Sequence, residues 1–374
     1  DTMKIGTRRL LLAGISTAVL GTTVSGVANA LPAFSRQTGD DCASCHVGGF
    51  GPQLTPHGMK FKMGGYTESD GKSHAPVSAM LVANYTHLSK DLPEEEIPKH
   101  FDENNNAAIQ EVAGFLAGRI AEHVGSFAQL TYSDIDRKIA LDNVDLRVAG
   151  QLNDSVSYGV SVNNNPGVQD PFNTLPVWRA PFTSSDLTMG PDNAPLLDDQ
   201  LGGTVYGATA YAYTESGLYG EVGLYRSFGL GPIDTFNLEP GMEIKGSAPY
   251  ARVAWLQDMH KSAFSVGVVA MSANLAEYNT SGPKDKFTDV GVDANYQYLG
   301  NRSNICTLDM AYIHEKNDIN LVTDEDTGDT EKLSNTLNQF TMTASYYYAQ
   351  TYGFTARYFN TTGSADDMLY DVTG

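Results

Sequence analysis

The sequence predicts an all-β protein folded as a transmembrane barrel of the outer-membrane type, and three observations predict it. From residue 76 onward the chain is a series of 9–13-residue stretches in which apolar and polar side chains alternate with a period of two. The connections between these stretches alternate between short turns and long loops, as they do in outer-membrane barrels. No stretch after residue 30 holds the ~20 apolar residues that a spanning helix needs.

The first thirty residues read as a secretory signal. Met3 is the expected start. Lys4, Arg8 and Arg9 make a positive region, Leu10 to Val24 an apolar one, and Ala28-Asn29-Ala30 a small-x-small cleavage site. The protein is therefore expected to leave the cytoplasm.

Residues 31–75 form a second unit around Cys42-Ala43-Ser44-Cys45-His46. C-x-x-C-H is the attachment motif of a c-type haem. Two thiols add across the porphyrin vinyl groups, and the adjacent His46 then becomes the axial iron ligand. A redox C-x-x-C and half of a zinc site are the competing readings. The sequence has no second Cys/His cluster to complete a zinc site and no βαβ pattern around the pair. Thr55-Pro56 reads as an N-cap followed by proline at the first helical position, and Gly64-Gly65 as the stop. The helix between them carries His57, Met59 and Met63. Met63 is the first choice for a distal ligand. A five-coordinate or water-ligated iron stays open, as does packing of both methionines against the porphyrin edge; His57 and His74 read as surface residues. So small a unit offers little core and is expected to dock against the rest of the chain.

Residues 76–374 supply the barrel. About fourteen strands are expected, near 77–88, 108–121, 124–134, 138–152, 154–164, 202–214, 217–229, 246–258, 262–274, 285–298, 303–314, 334–348, 351–361 and 366–374. In one of them Val290, Val292, Ala294, Tyr296 and Tyr298 face one way, and Gly291, Asp293, Asn295 and Gln297 the other. Short turns fall at Glu122-His123, Asn153, Glu215-Ser216, 258–261, Gly300-Asn301 and Gln350. Long loops are expected at 89–107, 165–201, 230–245 and 315–333. In outer-membrane barrels short turns are periplasmic and long loops external, which places the haem unit at the periplasmic end. Strand numbers are even, and the sequence stops after Met368-Leu369-Tyr370 without a terminal aromatic residue. A C-terminally truncated barrel of about sixteen strands is therefore expected, with a complete fourteen-stranded one as the alternative.

Composition narrows the function. The chain of 374 residues carries a net charge of −20, which disfavours nucleic acid and permits cations. Acidic residues crowd two of the long loops: Asp91, Glu94, Glu95, Glu96, Asp102 and Glu103 in the first, and Glu315, Asp318, Asp324, Glu325, Asp326, Asp329 and Glu331 in the last. Asp145, Arg147, Glu221, Asp293 and Arg119 are expected to face the lumen. Cys306, on a strand, reads as an inert buried thiol. No Ser-His-Asp set or pair of catalytic carboxylates stands out, so no catalytic residue is assigned.

The run from Pro32 to Gly39, then Cys42 to His46, Leu54-Thr55-Pro56, Phe61-Lys62 and Gly65-Tyr66-Thr67 resembles the fused monohaem cytochrome–porins. These are the outer-membrane iron oxidases of iron-oxidising bacteria, with their wider relatives. Asn163 to Pro166 and Asn173 to Trp178 are also similar to that family. The family often has an aromatic residue where His57 stands and leucine where Met63 stands, and its wider relatives occur in bacteria with no known iron oxidation. The resemblance implies an outer-membrane protein whose one covalent haem c passes electrons from extracellular Fe(II) to a periplasmic c-type cytochrome. Such a protein is formally an Fe(II) oxidoreductase. A conduit for another donor, and a diffusion porin or adhesin with a haem-bearing plug, are the alternatives.

Overall fold

The computed structural model describes residues 32–49, 51–178, 185–188, 193–239, 241–323 and 330–364, without the side chains of 320–323 and 330–333. The expected signal segment, the strand at 366–374 and the acidic run Asp324 to Asp329 lie outside these residues. Among the described residues no helix is long and apolar enough to cross a membrane.

One antiparallel sheet of fourteen strands dominates the chain. The strands are β1 (Val77–Thr86), β2 (Asn106–Ala121), β3 (Val124–Ser133), β4 (Lys138–Asn153), β5 (Val156–Asn163), β6 (Val205–Thr214), β7 (Leu218–Ser227), β8 (Met242–Ile244), β9 (Ala248–Asp258), β10 (Ser262–Glu277), β11 (Asp285–Tyr298), β12 (Asn304–Thr323), β13 (Thr330–Tyr348) and β14 (Tyr352–Gly363). Neighbours in sequence are neighbours in the sheet, with one exception. β8 and β9 lie end to end along the same edge of β10: Ile244 faces Leu275 and Tyr250 faces Met271. They are one row interrupted at Lys245–Ser247, where Gly246 takes a φ of 100° that favours glycine.

The alternation seen in sequence becomes an inverted distribution of polarity. Along β11, Val290 and Val292 are 48% exposed while Asp293 is 3% exposed. Exposed apolar side chains such as Leu81, Leu224, Val253 and Val268 cover the outer face. Tyr296, Tyr298, Tyr346, Tyr348, Tyr352 and Phe354 are exposed at the short-turn ends of their strands, the position of an interfacial aromatic girdle. A water-soluble sandwich would bury the apolar face; here it points out, and the polar face points in.

The sheet curls, because one compact segment touches strands from both halves of it. Gln37 accepts from the Arg119 N–H of β2 at 2.6 Å, and Tyr66 donates to Asp145 of β4 at 2.7 Å. Tyr211 of β6 donates to the Met63 carbonyl at 2.6 Å. On the other side Gln297 of β11 donates to the Leu54 carbonyl at 2.6 Å, and Gln53 donates to Asp309 of β12 at 2.6 Å. β1 and β14 are the outer strands and are not paired with one another among the described residues.

Four expectations need correction. The loop expected at 315–333 is largely strand: β12 and β13 pair as far as Thr323 and Thr330, and Glu315 is a buried inward residue. Polar residues there continue the period of two, so chemistry alone did not mark the strand's end. The loop expected outside at 165–201 runs inward, with Val168, Asp170, Phe172, Leu175, Leu196 and Leu197 buried. Cys306 is exposed, because it follows buried Ile305 on the outward face. Arg119 is exposed at the rim, where a bulge between Arg119 and Ala121 ends the regular pairing of β2.

Inside, two guanidinium groups are fully enclosed. Arg252 chelates Asp293 through Nη1 (2.8 Å) and Nη2 (2.9 Å) and lies 3.0 Å from Asp170 of the inward loop. Arg252→Ala leaves two buried carboxylates without their cation, a loss of about 3–5 kcal/mol by the general cost of breaking a buried pair. Equilibrium unfolding in lipid should show it; a loss below about 1 kcal/mol would mean that water reaches the pair.

A candidate cofactor-binding turn inside the sheet

Three short helices precede the sheet: α1 (Pro32–Thr38), α2 (Cys42–Cys45) and α3 (Pro56–Met63). Asp41 caps α2, its carboxylate accepting from the Ser44 N–H at 2.9 Å. His46 follows as the C-terminal cap, and its N–H closes onto the Cys42 carbonyl at 2.9 Å. Cys42 and Cys45 therefore stand one helical turn apart, both half-buried, with the imidazole next in line.

α3 is built as its sequence predicts. Thr55 caps it, accepting from the Gly58 N–H; Pro56 opens it, and Gly64 and Gly65 end it, Gly65 at a φ of 70°. The two helices are joined by the Thr55 N–H to the Cys45 carbonyl (2.8 Å) and by Thr55 Oγ1 to the Ser44 carbonyl (2.5 Å). His46 also forms a β-bridge with Leu54. Contact is so close that a Cβ at Gly58 would lie 2.3 Å from the Cys45 carbonyl oxygen.

Burial decides what these groups can do. The Cys45 thiol is pushed up to about 12, first by burial and then by the charges of Asp40 and Glu68. A redox C-x-x-C relies on a thiolate of depressed pKa, and this environment does the opposite. His46 is pulled down to about 4 by burial, against the opposing effect of the Gln53 carbonyl, so its ring is neutral and can donate a lone pair to a metal. Its Nδ1 is buried without a hydrogen-bond partner. Among the described residues neither cysteine belongs to a cluster of three metal-ligating side chains, which removes the zinc reading. Two thiols one turn apart and a neutral imidazole with an orphaned nitrogen fit the donor set of a c-type haem.

The other candidates are placed as follows. Met59 and Met63 are both buried in one apolar cluster with Leu54, Phe172, Tyr211, Tyr219, Ala254 and Leu256. Asp145, Arg147, Glu221 and Asp293 face inward and are buried. Arg147 donates to Asp145 at 2.7 Å and to the Gln169 carbonyl, and Tyr66 shares Asp145. His57 meets Asp40, and His74 meets Asp70, at 3.3 and 3.0 Å. Glu94, Glu95 and Glu96 form an exposed 3-10 turn between β1 and β2.

Sequence reasoning named Lys62 only within the Phe61-Lys62 pair of the family resemblance and gave it no role. Its Nζ reaches the carbonyls of Val168 (2.7 Å) and Asp170 (2.8 Å) and Oδ1 of Asn173 (2.9 Å), tying α3 to the inward loop. Asn173 in turn donates to the Pro52 carbonyl at 2.8 Å. Lysine on a short helix is ordinarily a solvated residue, and only the spatial neighbour reveals its role.

Fold and site together describe a curled antiparallel sheet with a largely apolar outer face, the arrangement of outer-membrane barrels, and a C-x-x-C-H turn packed against its inner face. No family model and no curated protein matches the sequence. Similar solved structures include OmpT, an outer-membrane protein of Vibrio cholerae, at 9% identity and a TM-score of 0.32 over 78% of this chain and 97% of that one. OmpF of Salmonella typhi, in complex with daunomycin, matches at 9% identity and 0.30 over 77% and 96%. The outer-membrane channel DcaP of Acinetobacter baumannii matches at 10% and 0.30 over 78% and 98%.

Gly58→Ala should force α3 away from α2, because the new methyl meets backbone rather than a movable side chain. A cost of about 1–3 kcal/mol is expected. Hydrogen exchange at the Thr55 and His46 amides should accelerate about tenfold or more. Unchanged exchange would show that the two helices are not coupled.

Proposed function

We propose that this chain is an outer-membrane cytochrome–porin in which extracellular Fe(II) is the electron donor, a periplasmic c-type cytochrome is the acceptor, and one covalent haem c, held by Cys42, Cys45 and His46, supplies the one-electron carrier. The observation that carries the reading is the C-x-x-C-H turn packed inside a curled sheet whose apolar face points outward. The short-turn end, where residues 32–75 meet Asp258 and Arg302, is taken as periplasmic.

The chain's own residues would act in three ways. Cys42 and Cys45 would anchor the cofactor through their sulfurs, and His46, neutral because it is buried, would offer it a ring nitrogen. Met63 would be the candidate for a second protein ligand. Residues 52–66 and the inward loop would narrow the interior: between them and the wall, the gap lined by Pro52, Gln53, Asn173 and Asp309 is about 30 Å³, room for a water or two, while a wider gap of about 440 Å³ opens at the rim beside Gln37 and Arg119. That filling favours a conduit over a diffusion porin, which needs an open lumen. Glu94, Glu95 and Glu96 stand exposed on the long-loop side and would concentrate a cationic donor there.

Haem attachment is tested by maturing the protein with a haem-attachment system and staining a denaturing gel for peroxidase activity. The native chain should stain, and a Cys42→Ser, Cys45→Ser double variant should not; staining in the double variant would end the assignment. The donor is tested by stopped-flow mixing of the oxidised protein with Fe(II) near neutral pH. Reduction should be slowed by replacing Glu94, Glu95 and Glu96 with glutamine, severalfold at low ionic strength and less at high. Reduction by dithionite but not by Fe(II) would remove iron as the donor while leaving the haem reading intact.

A further inference from the structure

The geometry points to a divalent transition-metal site formed by Asp40, His57 and Glu68, at the rim of the C-x-x-C-H turn. Nε2 of His57 lies 3.3 Å from Asp40 Oδ2 and 3.9 Å from Glu68 Oε2, and the three ligand atoms lie within 4.8 Å of one another. Without a cation the imidazole hydrogen-bonds Asp40 and pairs more distantly with Glu68. Metal–ligand bonds of about 2.0–2.1 Å in tetrahedral geometry put neighbouring ligand atoms about 3.3 Å apart, the separation His57 and Asp40 already have, and a small rotation of the Glu68 side chain would bring the third ligand in.

The three side chains come from segments whose backbones are fixed independently. Asp40 follows α1, with its N–H on Thr38 Oγ1 (3.1 Å) and its carbonyl accepting from Ser35 (2.6 Å). His57 is the second residue of α3, next to the proline at its start. Glu68 follows α3, its carbonyl held by Gln37 at 2.6 Å. A cation here would tie together the chain entering the C-x-x-C-H turn, the helix packed beneath it and the chain leaving it. One imidazole and two carboxylates favour Zn²⁺, Fe²⁺ or Mn²⁺ over Ca²⁺, which takes oxygen ligands only. The side chains are 41%, 41% and 52% exposed, so a solution ion can reach them and a solvent ligand can complete the coordination. The proposal rests neither on haem attachment nor on the direction of electron flow.

The test is titration of the full-length protein with Zn²⁺ against a chelating dye, with zinc-edge X-ray absorption on the one-equivalent complex. A single site is expected, with one nitrogen and oxygen ligands at about 2.0–2.1 Å. His57→Ala and Asp40→Asn should each weaken it tenfold or more, while His74→Ala and the Glu94/Glu95/Glu96 glutamine variant leave it unchanged. If His57→Ala does not fold, judged by heat-modifiable mobility, Glu68→Gln carries the same comparison. Equal affinity in the native chain and these site variants, a coordination shell without nitrogen, or no binding beyond that of the acidic loop would each overturn the site and leave an ion-pair cluster only.

Discussion

Burying Arg147 and Arg252 is the constraint on which the interior depends. A guanidinium removed from water costs several kcal/mol unless it is paired and hydrogen-bonded. The outward face is largely apolar; inward, the strands offer Asp145 and Asp293, which take some of the ten N–H donors of the two groups. Further acceptors come from chain that is not part of the sheet. Arg147 uses the carbonyls of Lys62 and Gln169, and Arg252 uses Asp170 and Thr174. Residues 52–66 and the inward loop are thus the second half of the wall's electrostatics.

Lys62 couples these two insertions to each other. Its three acceptors belong to the inward loop, while the helix that carries it sits on the turn of Cys42 and Cys45. Movement of α3 would strip Arg147 of the Lys62 carbonyl and Tyr211 of the Met63 carbonyl at once. The turn of Cys42 and Cys45 is thereby held by contacts that are themselves fixed on rigid elements.

What was legible in the sequence is what depends on neighbours along the chain. The period of two in 290–298 and 340–348, the N-cap Thr55 and the stop at Gly64-Gly65 are local signals, and each has its counterpart in the structure. What was illegible depends on partners far away. Glu315 reads as a loop acid, yet on β12 it faces inward and accepts the Leu196 N–H at 3.0 Å, a bond to a residue more than a hundred positions earlier. Cys306 was misread because a small sulfur side chain fits either face, and only the register against Tyr298 and Tyr346 places it outside. The interruption between β8 and β9 left no mark beyond Gly246.

The same inserted segments bridge the two halves of the sheet. Inward polar groups such as Gln53, Gln297 and Asp309 take partners across the interior. They bond one another or the main chain at 2.6 Å, across the sheet from Tyr66 and Asp145. These contacts fix the inserted segment against both halves of the sheet. The sheet's two faces divide accordingly: the outer one is largely apolar, and polar groups of the inner one bond the segment that carries Cys42, Cys45 and His46.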